Sequence, residues 1–189
     1  MTAWDKKRDI MRRYDATAEI YDTRYAEEQA AKIEAALRHV EVQAEAVLDV
    51  GCGTGILFGY IADKAAMTVG LDVSSKTLLK AKERARNHPN VHLVCADADN
   101  MPLKDKTFDR AFAITIIQNV PNQTETLNEI RRVVKDDALI VITGLKKLFT
   151  KYKLEKILKN ACLNIIVMRN KGLKCYVAVC TKILAPRSA

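Results

Sequence analysis

The chain has 189 residues, 49% hydrophobic and 29% charged, with a formal net charge of +8. That length supports one domain with a sizeable core and leaves two full domains cramped, and the composition is that of an ordinary globular protein. The N-terminal MTAWDKKRDIMRRYD lacks the apolar run of a secretory leader, and apolar runs such as ALIVITGL (138–145) fall far short of the ~20 residues a membrane-spanning helix needs.

Five cysteines, at 52, 95, 162, 175 and 180, include no CxxC pair. An odd set without such spacing predicts reduced thiols and a cytoplasmic protein rather than a disulfide framework. His39, His88 and His92 have no ligand-like spacing, so no metal site is expected. The charge is concentrated. Residues 146–174 hold nine basic groups and one acid, Glu155, and the remaining 22 basic and 22 acidic residues cancel. That segment is either a solvated helix face or a patch that attracts phosphate or another anion.

In chain order, residues 3–40 read as helix in two pieces, since apolar residues recur every three or four positions and no Gly or Pro precedes Gly51. Residues 46–50 read as strand, 56–65 as helix, 67–73 as strand, and 74–87 as helix capped by Ser74 or Ser75. Strands follow at 91–98 and 108–117, a helix at 124–134 with Thr124 as its cap, a strand at 138–145, and a basic helix at 148–161. Two strands close the chain, 163–170 and 174–182. The β–α alternation of continuous apolar runs predicts an α/β fold, a doubly wound, seven-stranded, mostly parallel sheet. The short link between the last two strands makes them antiparallel, because parallel neighbours need a long crossover.

The junction after the first strand, VLDVGCGTG (47–55), places Gly51, Gly53 and Gly55 behind Asp49. Glycine there permits positive φ and lets another group approach the main chain. The G-x-G-x-G spacing departs from the dinucleotide G-x-G-x-x-G, whose third glycine would fall at Ile56. Together with GLDVS (70–74), VCADADNMPL (94–103), FDRAFAITIIQNV (108–120) and YDATAEIYDTRY (14–25), the junction resembles the ordered motifs of class I S-adenosylmethionine-dependent methyltransferases, of the small-molecule, type 11-like kind. The resemblance runs from about residue 14 to 182.

It implies a Rossmann-like methyltransferase core at 46–189, with 1–45 as an N-terminal helical cap over the cofactor site, in a single domain. The implied cofactor is S-adenosylmethionine, with S-adenosylhomocysteine as product. The implied contacts are Tyr21, Asp49, Gly51, Cys52, Gly53, Thr54, Gly55, Asp72, Val73, Asp97, Ala98 and Ile114. Asp72 would accept from the ribose diol, and Asp97 from the adenine amino group. Tyr14, Gln118 and Asn119 are substrate-side candidates, with Asp15 and His88 behind them; no catalytic residue is legible. The fourth-strand end, ITIIQNVP (114–121), lacks the Asn/Asp-Pro-Pro-aromatic run associated with nucleobase and glutamine amides. That makes such substrates less expected, and the N-terminal helical segment, similar to that of small-molecule methyltransferases, implies a small-molecule acceptor. The alternatives are RNA, such as tRNA, or protein reached through the basic 146–174 segment, or a non-catalytic, methyltransferase-like subunit that binds a partner.

Overall fold

The computed structural model describes residues 2–184, apart from the side chains of residues 3, 17–19 and 21. One helix, α1 (Ala3–Leu37), replaces the two expected pieces. With no Gly or Pro to break it, it runs on from a capping box in which Thr2 Oγ1 accepts from Asp5 N at 3.1 Å and Asp5 accepts from Thr2 N at 2.8 Å. Its two halves differ in burial rather than in helicity. None of the described side chains between 4 and 28 is fully buried, whereas Gln29, Lys32, Ile33 and Ala36 are.

The sheet has the order β3-β2-β1-β4-β5-β7-β6. Its strands are β1 (Ala46–Val50), β2 (Met67–Asp72), β3 (Val91–Cys95), β4 (Phe108–Ala113), β5 (Val134–Leu145), β6 (Leu163–Arg169) and β7 (Cys175–Lys182). The first five are parallel, and β7 pairs antiparallel with both β5 and β6. Alternate residues of each strand feed opposite faces. Leu48 and Val50 enter a core with Leu127 and Ile130 of α4 (Gln123–Val133) and Leu154 and Leu158 of α5 (Lys151–Asn160). Val47, Phe112, Val141 and Val177 pack on the other face against Ile33 and Ala36 of α1.

Several boundaries differ from expectation; β3, expected to reach 98, ends at Cys95, and α5, expected from 148, begins at Lys151. The helix expected at 56–65 is regular only as α2 (Phe58–Ile61), because Phe58, Tyr60 and Lys64 donate three residues back, in tight turns on either side of it. The strand expected to reach 117 stops at Ala113, before Thr115 turns left-handed at φ +66°. Asn122, not Thr124, caps α4, its Oδ1 accepting from Thr124 N and Glu125 N at 3.2 and 3.4 Å. β5 begins four residues early, where Val134 pairs with Phe108. Ser74 caps α3 (Ser75–Arg84), accepting from Thr77 N at 3.2 Å.

Candidate functional site

The strand order reverses direction at β1 and β4, which opens a crevice beyond their carboxyl ends. There the loop after β1 folds over β2. The Gly51 and Cys52 N–H groups donate to the Leu71 carbonyl at 2.7 and 3.0 Å, and the Gly53 N–H donates to Asp72 Oδ2 at 2.9 Å. Gly53 has φ +55°, and a β-carbon there would meet nothing within 4 Å, so the main chain faces open space. Gly55 differs. Its β-carbon would lie 2.5 Å from Phe58 Cε2, which makes it a packing position outside the cavities.

Two cavities flank this loop and share Gly51, Gly53, Thr54 and Ile114 as walls. The larger has Asp72, Val73, Asp97 and Ala98 on the sheet side and Ile10, Met11 and Tyr14 of α1 opposite. The smaller is lined by Asp49, Cys52, Gln29 and Ile33. No described residue donates a hydrogen bond to the Asp49 carboxylate. Burial first, and the charge of Asp72 second, push its pKa up to about 8. Burial also raises Asp72, opposed by the N–H groups of Ser74 and Gly53. Burial drives the Cys52 thiol far up, so it is no thiolate nucleophile.

Polar side chains of α1 hold it across the strand ends. Lys7 Nζ lies 2.6 Å from both Asp97 Oδ2 and Asp99 Oδ2. Burial alone would lower the Lys7 pKa, and its bonds to the two carboxylates outweigh that and raise it. Ser74 Oγ donates to Asp15, Thr54 Oγ1 donates to Asp22 at 2.5 Å, and Arg84 pairs with Asp22 at 2.6 Å.

Thr115 anchors the far wall. Its N–H donates to Thr143 Oγ1 at 2.7 Å, and its hydroxyl donates to Gln29 Oε1 at 3.0 Å while accepting from Lys32 Nζ at 3.1 Å. Its carbonyl accepts from Gln118 Nε2 and Asn119 Nδ2 at 2.9 and 2.7 Å. Asn119 Nδ2 also donates to the Tyr14 hydroxyl at 2.7 Å, across the cavity mouth. Burial raises the Tyr14 pKa.

Of the residues singled out in the sequence, Asp49, Gly51, Cys52, Gly53, Thr54, Asp72, Val73, Asp97, Ala98, Ile114, Tyr14 and Asn119 all line one cavity or the other. Gln118 does not; it turns its amide inward to Thr115, and its Oε1 is buried with no partner among the described residues. Asp15 is engaged by Ser74, and His88 stands apart, paired with Asp63 at 3.0 Å. The Tyr21 side chain lies outside the described residues. Sequence reasoning missed Lys7, Gln29, Lys32 and Thr115. A polar pair on the buried stripe of α1, Gln29 and Lys32 beside Ile33 and Ala36, was the one signal available for them.

The profile of a family described as a methyltransferase domain matches residues 48–142, about half of the chain. A malonyl-[acyl-carrier protein] O-methyltransferase of Marinomonas sp. (strain MWYL1) is 33% identical over 150 residues, 78% of this chain and 55% of that protein. A demethylmenaquinone methyltransferase of Staphylococcus haemolyticus is 37% identical over 106 residues, 54% of this chain and 44% of that protein. The chain thus spans about half the length of these curated relatives. A S-adenosylmethionine-dependent methyltransferase from Aquifex aeolicus superposes with a TM-score of 0.73 at 20% identity, covering 80% of this chain and 89% of its own, a likeness of fold alone. With the profile match spanning the glycine loop and both of the strand ends that border it, this chain belongs to the methyltransferase domain family, among the class I S-adenosylmethionine-dependent methyltransferases.

Proposed function

We propose that this protein transfers a methyl group from S-adenosylmethionine to a small, largely apolar molecule held beneath the first half of α1. The observation that carries this reading is the pair of carboxylates, buried Asp49 and half-buried Asp72, on either side of an open glycine loop. The group fits the residues present. A buried carboxylate with no described donor suits a ligand ammonium, and a second, on the neighbouring strand, suits a ribose diol.

In this assignment Asp49 receives the amino group, and Gly51, Cys52, Gly53 and Thr54 follow the methionine chain. Asp72 takes the ribose, Val73, Asp97 and Ala98 surround the adenine, and Ile114 lies beside the sulfonium. Gly55 supports the loop from behind. Bound S-adenosylmethionine supplies a methyl carbon activated by a sulfonium, whose leaving group is a neutral thioether.

The protein's share is alignment and exclusion of water, which proximity makes sufficient for a nucleophile that carries no proton. Residues 1–45 act as a cap on the 46–189 core within one unit, with Ile10 and Met11 shielding the cavity. Ile116, Val120 and Pro121 give the acceptor an apolar wall, with the Tyr14–Asn119 pair as its polar point. The relatives named for malonyl-[acyl-carrier protein] and demethylmenaquinone support acceptors of this class. Free thiols at all five cysteines support a reducing, cytoplasmic setting.

Calorimetry with S-adenosylmethionine and S-adenosylhomocysteine tests the reading, with Asp72→Ala as the control. Micromolar binding that disappears in the variant is the expected result. Absence of binding by the unaltered protein would favour a non-catalytic scaffold instead.

A further inference from the structure

The strand register gathers the excess positive charge at one edge of the sheet. β5 ends at Leu145, which pairs with Cys175 at the start of β7. The Lys146 N–H donates to the Lys174 carbonyl at 3.0 Å, and Lys146 Nζ donates to the Asn170 carbonyl at 2.7 Å. The β5–α5 turn and the β6–β7 turn therefore lie side by side. They carry Lys146, Lys147, Lys171 and Lys174, and α5 opens beside them with Lys151 and Lys153, all exposed. This is the carboxyl edge of β5, the same edge on which the cavities open. Thr143, two residues before Leu145, accepts from the cavity residue Thr115. Two strand spacings of about 4.8 Å and a three-residue offset along β5 put the start of β7 about 14 Å from the end of β4.

Few acids answer this charge. Lys151 reaches Glu155 only at 3.7 Å and Lys174 reaches Glu28 at 3.3 Å. Among the described residues no acid pairs with Lys146, Lys147, Lys153 or Lys171. Two large apolar groups stand exposed among the lysines, Leu148 at 52% and Tyr152 at 72%. Eight of the nine basic groups in 146–174 are lysines. The one arginine, Arg169, directs its Nε to His39 at 3.0 Å. Arginine forks read phosphate bidentately, as in nucleic-acid recognition, whereas lysines act as point charges on any anionic plane. Lysines interleaved with an exposed leucine and tyrosine have the composition of an interfacial anchor, charge toward headgroups and apolar groups into the acyl boundary.

We propose that this edge, Lys146, Lys147, Leu148, Lys151, Tyr152 and Lys171, docks the protein on an anionic lipid surface, with the cavity mouth close to the bilayer. Docking needs no bound cofactor, so it stands or falls separately from methyl transfer.

Sedimentation with vesicles tests it, comparing pure phosphatidylcholine with phosphatidylcholine containing phosphatidylserine, at low and at raised salt. Binding is expected only to the anionic vesicles and is expected to weaken with salt. Lys147→Gln and Lys151→Gln should each reduce the partition coefficient about fivefold. Tyr152→Ala should weaken binding at every salt concentration, because its contribution is apolar. Lys104→Gln, on the exposed loop leading into the opposite end of β4, should change nothing. All four replace exposed side chains, and circular dichroism confirms that each variant is folded. Equal binding to neutral vesicles, no binding to anionic ones, or insensitivity to the lysine variants would overturn the proposal. Binding of tRNA or an acidic protein through these lysines, without vesicle binding, would overturn it in favour of that partner.

Discussion

The ammonium of Lys32, 2% exposed, donates to the hydroxyl of Thr115 at 3.1 Å, tying the buried half of α1 to the loop just beyond β4. Thr115 is β-branched and left-handed, a conformation that costs on the order of 1–3 kcal/mol and persists only where its surroundings hold it. Thr143, Gln29, Lys32, Gln118 and Asn119 supply that restraint.

Thr115→Val keeps the shape and backbone demand and removes only the hydroxyl. It leaves Gln29 Oε1 without that donor and Lys32 short of an acceptor, so stability should fall by about 2 kcal/mol. Urea unfolding measures this. The loss should shrink in a Lys32→Met background, because the two residues share one interaction.

Two glycines of the loop should part company on substitution. Gly55→Ala forces a β-carbon against the Phe58 ring, within 3.3 Å of Ala81 Cβ, at φ +77°. Overpacking and left-handed strain together should cost about 3 kcal/mol. Gly53→Ala meets open space and should cost only about 1 kcal/mol. Its methyl group then projects where the cofactor is proposed to lie, so S-adenosylhomocysteine affinity should fall at least about tenfold in a protein that still folds. Paired thermal unfolding and calorimetry separate the two effects.

Asp49 makes stability depend on pH. Its carboxyl is pushed up to about 8 in the folded protein, against an ordinary value near 4 in the unfolded chain. The folded state therefore binds the extra proton between those values. The stabilisation is fully present below about pH 4 and is lost as pH rises through about 8, by at most about 1.4 kcal/mol per pH unit. Asp49→Asn should flatten that slope in ligand-free protein. An ammonium bound at Asp49 prefers the ionised form, so cofactor affinity should rise over the same window, and the variant should lose that rise too. Denaturation midpoints and calorimetry across pH 5–8 check both.

The first half of α1 is held by ion pairs and hydrogen bonds, and the second half by burial. Added salt weakens partly exposed ion pairs such as Lys7 with Asp97 and Asp22 with Arg84 and leaves apolar packing intact. Hydrogen exchange should therefore quicken across 4–28 in 0.5 M salt or in Lys7→Met, while 29–37 stays protected. Uniform exchange along the helix would refute this division.

The order of strands and helices was readable because each apolar run carries its own period, and the antiparallel close followed from a short connection. The loop between β1 and α2 was legible because glycine spacing is local, and the acid that ends β2 because it closes a strand. Local signals also had local limits. Asn122 took the cap from Thr124 by offering a side-chain oxygen to two N–H groups, and three-residue bonds cut α2 short.

Tertiary contact alone decided the rest. Lys7 reaches Asp97 across 90 positions, and Lys32 reaches Thr115 across 83. No pattern within a short window carries such pairs. Gly55 read like its neighbours until folding brought Phe58 and Ala81 against it, and Gln118 read like Asn119 until its amide turned inward. The unusual state of Asp49 arises from burial, which a sequence implies by pattern but only the folded chain produces, by removing the water that would otherwise keep the carboxyl ionised.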